Sequence, residues 1–179
     1  MRYTGLSKST KQNIRTSYNR LERDKIDFVF QCYHKKLPTK KILADMNRLF
    51  SRRICEHLNI NSKLFKYALT FEKKINPMSR ALKIEENFLG ATIYIDNQLI
   101  AFFQGVIKDG RATIVRLSVN IDYAKYSPGG LLINEFLRYC DNNIFISEFE
   151  LARGDEKYKY TYGGMEYFNY GFCISLVGD

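Results

Sequence analysis

From Phe88 onward the apolar residues recur at every second position, and this change of period constrains the fold more than any other feature of the chain. Phe88 to Ile95, Gln98 to Ile107 and Arg111 to Ile121 read as strands, rich in β-branched and aromatic residues. Asp96-Asn97 and Lys108-Asp109-Gly110 join them with residues suited to tight hairpins. Strands linked in this way form an antiparallel meander. An amphipathic helix from about Pro128 to Cys140 follows, then a strand from Phe145 to Leu151, a polar stretch through Gly164 and a last strand near Tyr167 to Leu176. A crossover helix makes the strands at 111–121 and 145–151 parallel neighbours if both join one sheet.

Upstream of Phe88 the period is mostly helical. Ile14, Tyr18 and Leu21 share a face of a helix predicted from Ser7 to about Arg23, while Lys8, Lys11 and Arg15 fall largely on another. Ile26 to Tyr33 has strand composition, and Pro38 closes the loop after it. Two more helices are predicted. One runs from roughly Thr39 to His57 with Ile42, Met46, Leu49 and Phe50 inward, the other from about Lys63 to Lys74 with Leu64, Ala68 and Phe71. The order defines an α+β fold with a mixed, mostly antiparallel sheet flanked by helices. At 179 residues one domain is expected over 1–179, with a basic helical part at 1–80 and a sheet and loop part at 81–179.

Charge is divided between those parts. Residues 1–80 hold 19 Lys and Arg against 6 Asp and Glu, a balance of +13, and the remainder holds 9 against 13, a balance of −4. The basic part attracts phosphates, anionic headgroups or nucleic acid without choosing among them. There is no apolar run of about 18 residues, and the opening Met1-Arg2-Tyr3-Thr4-Gly5 lacks the apolar block of a secretory signal, so the cytoplasm is the expected location. Cys32, Cys55, Cys140 and Cys173 are scattered singly, and only His34 and His57 could complete a metal set. Buried free thiols are expected, and no metal site.

Chemistry is suggested first at Ser127-Pro128-Gly129-Gly130-Leu131, where a strand gives way to a helix. Serine is a favoured N-cap, and proline suits the first helical position because its missing N–H had no partner there anyway. The amides of Gly129, Gly130 and Leu131 are then expected to stand free at the positive end of the helix dipole, with no side chain on either glycine to obstruct an anion. A diphosphate fits such a site. A capped helix whose glycines permit close packing on the sheet explains the same residues, so both readings stand on the motif alone. Walker-type and Gly-x-Gly-x-x-Gly nucleotide motifs are absent.

With Tyr126-Ser127-Pro128-Gly129 and Arg153-Gly154-Asp155-Glu156-Lys157-Tyr158-Lys159, the sequence resembles the GNAT superfamily of acyl-CoA N-acyltransferases. It is similar in particular to the branch of acetyltransferases of cellulose biosynthesis, related to the Fem-type aminoacyl transferases. A looser likeness reaches back to Leu6-Ser7-Lys8. Where the broader superfamily carries Gln or Arg, then Gly, then Gly or Ala, this chain has Tyr126, Gly129 and Leu131. The resemblance implies a GNAT-like splayed sheet with acetyl-CoA, or another acyl-CoA, as cofactor. Its pantetheine arm would lie between the strands at 111–121 and 145–151, beside Leu117 and Val119, and its diphosphate would meet Ser127, Gly129, Gly130 and Leu131. Members of the branch are commonly about twice as long, with a second N-terminal domain of similar fold, which makes this chain a reduced form or a fragment on that comparison.

Attack of an amine on a thioester needs removal of an amine proton, stabilisation of an oxyanion and protonation of the departing sulfur. Arg153 to Tyr162 concentrates carboxylates, cations and tyrosines after a strand. Asp155 or Glu156 is assigned to orienting the acceptor or removing its proton, Tyr158 to protonating the sulfur, and Lys159 to stabilising negative charge. A solvated, charge-balanced turn is the plainer account of this stretch. The acceptor class implied by the resemblance is a small molecule or glycan precursor of the cell envelope, acylated on an amine or hydroxyl. Alternatives are aminoacyl transfer from tRNA, a non-catalytic nucleic-acid-binding module, or a degenerate partner domain. Basic and aromatic residues do not interleave on one predicted strand face, which argues against nucleic acid other than tRNA. Contact of Lys8, Lys11 and Arg15 with a membrane surface would be peripheral at most.

Overall fold

The structure is a computed structural model that describes residues 6–58, 80–151, 159–160, 162 and 164–165. Its elements run α1 (Lys8–Arg23), β1 (Val29–His34), α2 (Lys40–Leu58), β2 (Phe88–Ile95), β3 (Gln98–Lys108), β4 (Arg111–Val119), α3 (Pro128–Asn143) and β5 (Glu148–Glu150). The five strands lie in sequence order in one sheet. Pairing is antiparallel from β1 to β4 and parallel between β4 and β5, the mixed arrangement expected of the crossover. The predicted helix at 63–74 and strand at 167–176 lie outside the described residues.

Both hairpins are two-residue turns with positive φ at each central residue: Asp96 (48°) and Asn97 (61°), then Asp109 (51°) and Gly110 (79°). Such turns match the twist of the strands they join, and Asp, Asn and Gly tolerate the conformation best. β1 starts later than the predicted Ile26. Residues 24–26 close α1 instead, with Lys25 in the left-handed region and the Ile26 amide donating to the Leu21 carbonyl at 2.9 Å. β4 likewise stops at Val119 rather than Ile121, and a 3-10 segment over Ile121–Tyr126 separates it from α3. Asn120 starts that segment by accepting the Asp122 amide on Oδ1 at 3.1 Å.

The central strands are buried on both faces, which explains their nearly continuous apolar runs. Phe102 faces α2, packing with Met46, Leu49 and Leu99. Phe103 faces α3, meeting Phe136 edge-on at 4.8 Å between ring centroids. α1 lies beside α3, where Tyr18 hydrogen-bonds Glu135 and accepts from Asn134 Nδ2 at 3.0 Å. Burial, reinforced by Glu135, pushes the Tyr18 phenol up to about 12.

Two irregularities in β4 shape its later half. Gln104 pairs with Arg116 but Gly105 pairs with Ile114, leaving Val115 as an extra residue in a bulge. Ala112 and Ile114 therefore belong to the core under α3, while Arg116 stacks over Phe50 of α2 at 5.3 Å and Ser118 reaches the Leu49 carbonyl at 3.5 Å. Pairing with β5 covers only Arg111, Ala112 and Thr113. Among the described residues, β4 beyond Thr113 has no strand on that side.

Cys32, Cys55 and Cys140 are free thiols. Burial pushes Cys32 and Cys140 up to about 12, so each holds its proton at neutral pH. With the thiol form so favoured, iodoacetamide should label both far more slowly in the native protein than in the unfolded chain. Mass-spectrometric labelling with and without urea checks this. A Cβ on Gly105 would lie 2.4 Å from the Thr113 carbonyl oxygen, so Gly105→Ala should force the bulge apart. A loss of about 2 kcal/mol in urea unfolding is expected.

Candidate functional site

The residues between β4 and α3 are held from outside by α1. Tyr126 is 2% exposed, and its hydroxyl donates to Asp24 Oδ2 at 2.8 Å. Asp24 also accepts Lys125 Nζ at 3.0 Å and Arg23 Nε at 2.9 Å, while Arg20 Nη1 donates to the Lys125 carbonyl at 2.6 Å. Hydrogen bonds from Arg23, Tyr126 and Lys125 hold the Asp24 carboxyl well below the usual carboxylate range. From the other side of the fold, Arg52 on α2 grips Asp122 through both terminal nitrogens at 3.1 and 3.4 Å.

Between these anchors Ser127 adopts φ 49°, ψ 57°, a left-handed conformation uncommon for a residue with a side chain. Its hydroxyl makes no cap hydrogen bond to the helix, contrary to the N-cap role read from the sequence. A capping serine has extended backbone geometry, which the left-handed turn does not provide. The Ser127 carbonyl accepts the Leu131 amide at 3.1 Å, so one of the three amides expected to stand free is engaged. The Leu131 side chain is fully buried in the core. Pro128 has no amide, and those of Gly129 and Gly130 have no acceptor among the described residues.

Gly129 and Gly130 lie in the wall of a cavity of about 550 Å³. Leu117 and Val119 of β4 form part of its wall with Ser127, Gly129 and Gly130, so five of the six residues assigned to the cofactor meet around one space and Leu131 does not. A Cβ on Gly129 would lie 3.3 Å from Val119, and one on Gly130 would lie 3.4 Å from the Tyr162 hydroxyl. Tyr162 donates to the Gly130 carbonyl at 3.2 Å. Ser9, Thr10, Asn13 and Ser17 of α1 and Arg53 of α2 complete much of the lining. The cavity therefore meets the small polar side of α1, whereas the basic residues Lys8, Lys11 and Arg15 are exposed.

Of the four residues assigned to the chemistry, Lys159 is described and is buried, while Asp155, Glu156 and Tyr158 lie outside the described residues. The Lys159 carbonyl accepts the amides of Tyr162 and Gly164 at 3.2 and 3.0 Å, a turn that carries Tyr162 back to the glycines. Tyr162, Arg53, Asn120 and the α1 residues are cavity residues that sequence reasoning did not single out. Tyr162 stood in the flagged tyrosine-rich stretch, but no local pattern marks Arg53 or Asn13. Among the described residues, no group of His, Cys, Asp and Glu could hold a metal ion.

A mixed sheet with a crossover helix opening at a half-buried glycine turn, beside strands paired only at their beginning, defines the fold class of acyl-CoA N-acyltransferases. Residues 8–160 match the model of the acetyltransferase (GNAT) domain family, and the chain belongs to that family. Solved structures agree on the fold. An aminoglycoside acetyltransferase, meta-AAC0020, from an uncultured soil metagenomic sample, solved with sisomicin, is 13% identical at a TM-score of 0.53, covering 83% of this chain and 97% of that one. A possible acetyltransferase from Clostridium difficile 630 is 14% identical at a TM-score of 0.52, covering 82% and 97%. No curated protein matches the sequence.

Because Asp24 and Tyr126 hold the residue before the turn, Tyr126→Phe should keep the ring packed yet loosen the alignment of the two glycine amides. The KM for acetyl-CoA is expected to rise about fivefold with kcat little changed, the cost of one hydrogen bond. Steady-state kinetics on Tyr126→Phe and Asp24→Ala, each of which removes this hydrogen bond, check it, with the KM effect expected in both.

Proposed function

We propose that this chain is a single acyltransferase domain, spanning 1–179, that moves an acetyl or other acyl group from acyl-CoA to an amine or hydroxyl. The observation carrying this reading is the pair of glycine amides at the head of α3 that have no acceptor among the described residues, on two glycines lining a cavity walled by Leu117 and Val119. The residues fit the group: amides and a helix dipole suit a diphosphate, and an apolar strand not paired by β5 suits the pantetheine arm. Ser127, Gly129 and Gly130 would hold the diphosphate end. Bound there, acyl-CoA supplies an acyl group already activated as a thioester.

What the chain itself adds is proton handling and orientation. A carboxylate of Asp155 or Glu156 orients the acceptor and accepts the proton its nucleophile loses. Tyr158 holds a phenolic proton for the departing sulfur, and Lys159 places positive charge near the developing oxyanion. The acceptor is a small precursor of the cell envelope or of a polysaccharide, by likeness to acetyltransferases of cellulose biosynthesis. A cytoplasmic location goes with such a substrate. Transfer of an amino acid from tRNA, as in Fem-type relatives, is the second reading, favoured by the +13 balance of residues 1–80.

Acetyl-CoA should raise the melting temperature where ADP and AMP raise it far less, because a ligand bound by the native state alone adds roughly 2.7 kcal/mol at a hundred times its Kd. Equal shifts with all three would remove the thioester carrier from the reading. In acyl transfer, Tyr158→Phe should lower kcat about a hundredfold while leaving acetyl-CoA binding intact. Unchanged turnover in Asp155→Asn, Glu156→Gln, Tyr158→Phe and Lys159→Met, each shown to be folded, would remove these assignments.

A further inference from the structure

The cavity beside the Ser127–Gly130 turn is lined, among the described residues, by one charged side chain, Arg53, and by no carboxylate. The contrast with its neighbour on α2 is informative. Arg52 is neutralised by Asp122, with Nη1 and Nη2 at 3.1 and 3.4 Å, and by Glu56, with Nε at 2.7 Å. Arg53 is exposed at the cavity and has no carboxylate partner among the described residues. Asn13, across the lining on α1, is likewise exposed, and its side-chain amide makes no hydrogen bond among the described residues. The amides of Gly129 and Gly130, without an acceptor among the described residues, add the positive end of the α3 dipole to the same space.

A cavity so built repels a polycationic acceptor and draws an anionic group. The planar guanidinium offers paired donors that match the oxygens of a phosphate or a carboxylate, and with no carboxylate partner among the described residues it gives up no ion pair there on taking one. We propose that Arg53 forms an anion subsite separate from the glycine amides, taking a phosphate or carboxylate of a ligand in this cavity. The inference rests on the acyl-CoA reading of the cavity only in its choice of sources. The anion is either the 3′-phosphate of the cofactor or an acidic group on the acceptor.

Calorimetric titration of the wild type, Arg53→Gln and Arg53→Lys with inorganic phosphate, acetyl-CoA and 3′-dephospho-CoA tests it. Arg53 is exposed, so both variants should fold, and their melting temperatures verify this. Phosphate is expected to bind Arg53→Gln about tenfold more weakly, with Arg53→Lys recovering part of the loss as a point charge without the fork. A parallel loss for acetyl-CoA but not for 3′-dephospho-CoA assigns the anion to the cofactor. Undiminished acetyl-CoA affinity alongside weakened phosphate binding assigns it to the acceptor. A wild type that binds phosphate through Arg53 but not acetyl-CoA would sink the acyl-CoA reading and leave the subsite standing. Losses below twofold for both phosphate and acetyl-CoA, or no binding of either by the wild type, overturn the subsite.

Discussion

Burial of Tyr126 against the end of α1 is the contact on which the geometry of the glycine turn depends. A buried phenol needs a partner for its hydroxyl, and Asp24 supplies one at 2.8 Å. Asp24 is available there because α1 closes just beyond it, through the left-handed Lys25 and the return of the Ile26 amide to Leu21. The next residue after Tyr126 must turn sharply, and Ser127 does so at positive φ, a conformation costing of the order of 1 kcal/mol that persists only where its surroundings impose it. One consequence bears on chemistry. A serine in this conformation does not cap the helix, so its hydroxyl leaves the Gly129 and Gly130 amides without a protein acceptor among the described residues.

The sheet makes this turn a fixed point. Phe102 and Phe103 send adjacent side chains to opposite layers, so β3 is clamped between α2 and α3 and cannot shift without disturbing both cores. β4 inherits that rigidity through its pairing with β3, and the bulge at Val115 then lets its two halves serve different ends. Before the bulge the strand pairs with β5 and supports α3. After it, Arg116 and Ser118 are tied to α2 while Leu117 and Val119 line the cavity side. A bulge adds twist and re-aims side chains, which is how one strand can both carry a core and border an open groove.

Much of this architecture was legible because it rests on local signals. Period-two runs with Asp-Asn and Asp-Gly turns located three strands nearly to the residue, and the Ser-Pro-Gly-Gly sequence located the start of α3. Local signals also misled where tertiary contacts decide. Ser127 has the composition of a cap, yet the Asp24–Tyr126 contact, 102 positions apart in sequence, gives it another conformation. Ile121 has the composition of a strand, yet Asn120 and the Arg52–Asp122 pair bend the chain into a 3-10 segment. The cavity wall from α1 and α2 could not be read at all. Whether Arg52 or Arg53 faces the glycines depends on the rotation of α2 over the sheet, which Met46, Leu49 and Phe102 determine by packing.

That rotation, with the placement of α1, also explains how a strongly basic half can serve a small site without crowding it. Lys8, Lys11 and Arg15 are exposed and away from the cavity lining, where Ser9, Thr10, Asn13 and Ser17 sit instead. Exposed charges act over about 8 Å at physiological salt, enough to raise the local concentration of an anion but too diffuse to orient it. Short neutral side chains, by contrast, let a ligand approach the helix backbone and leave orientation to fixed donors. On the proposed reading, attraction and alignment fall to different faces of one helix. On that reading, raising the salt should weaken encounter with an anionic ligand before it weakens any contact made inside the cavity, where a bound ligand excludes ions.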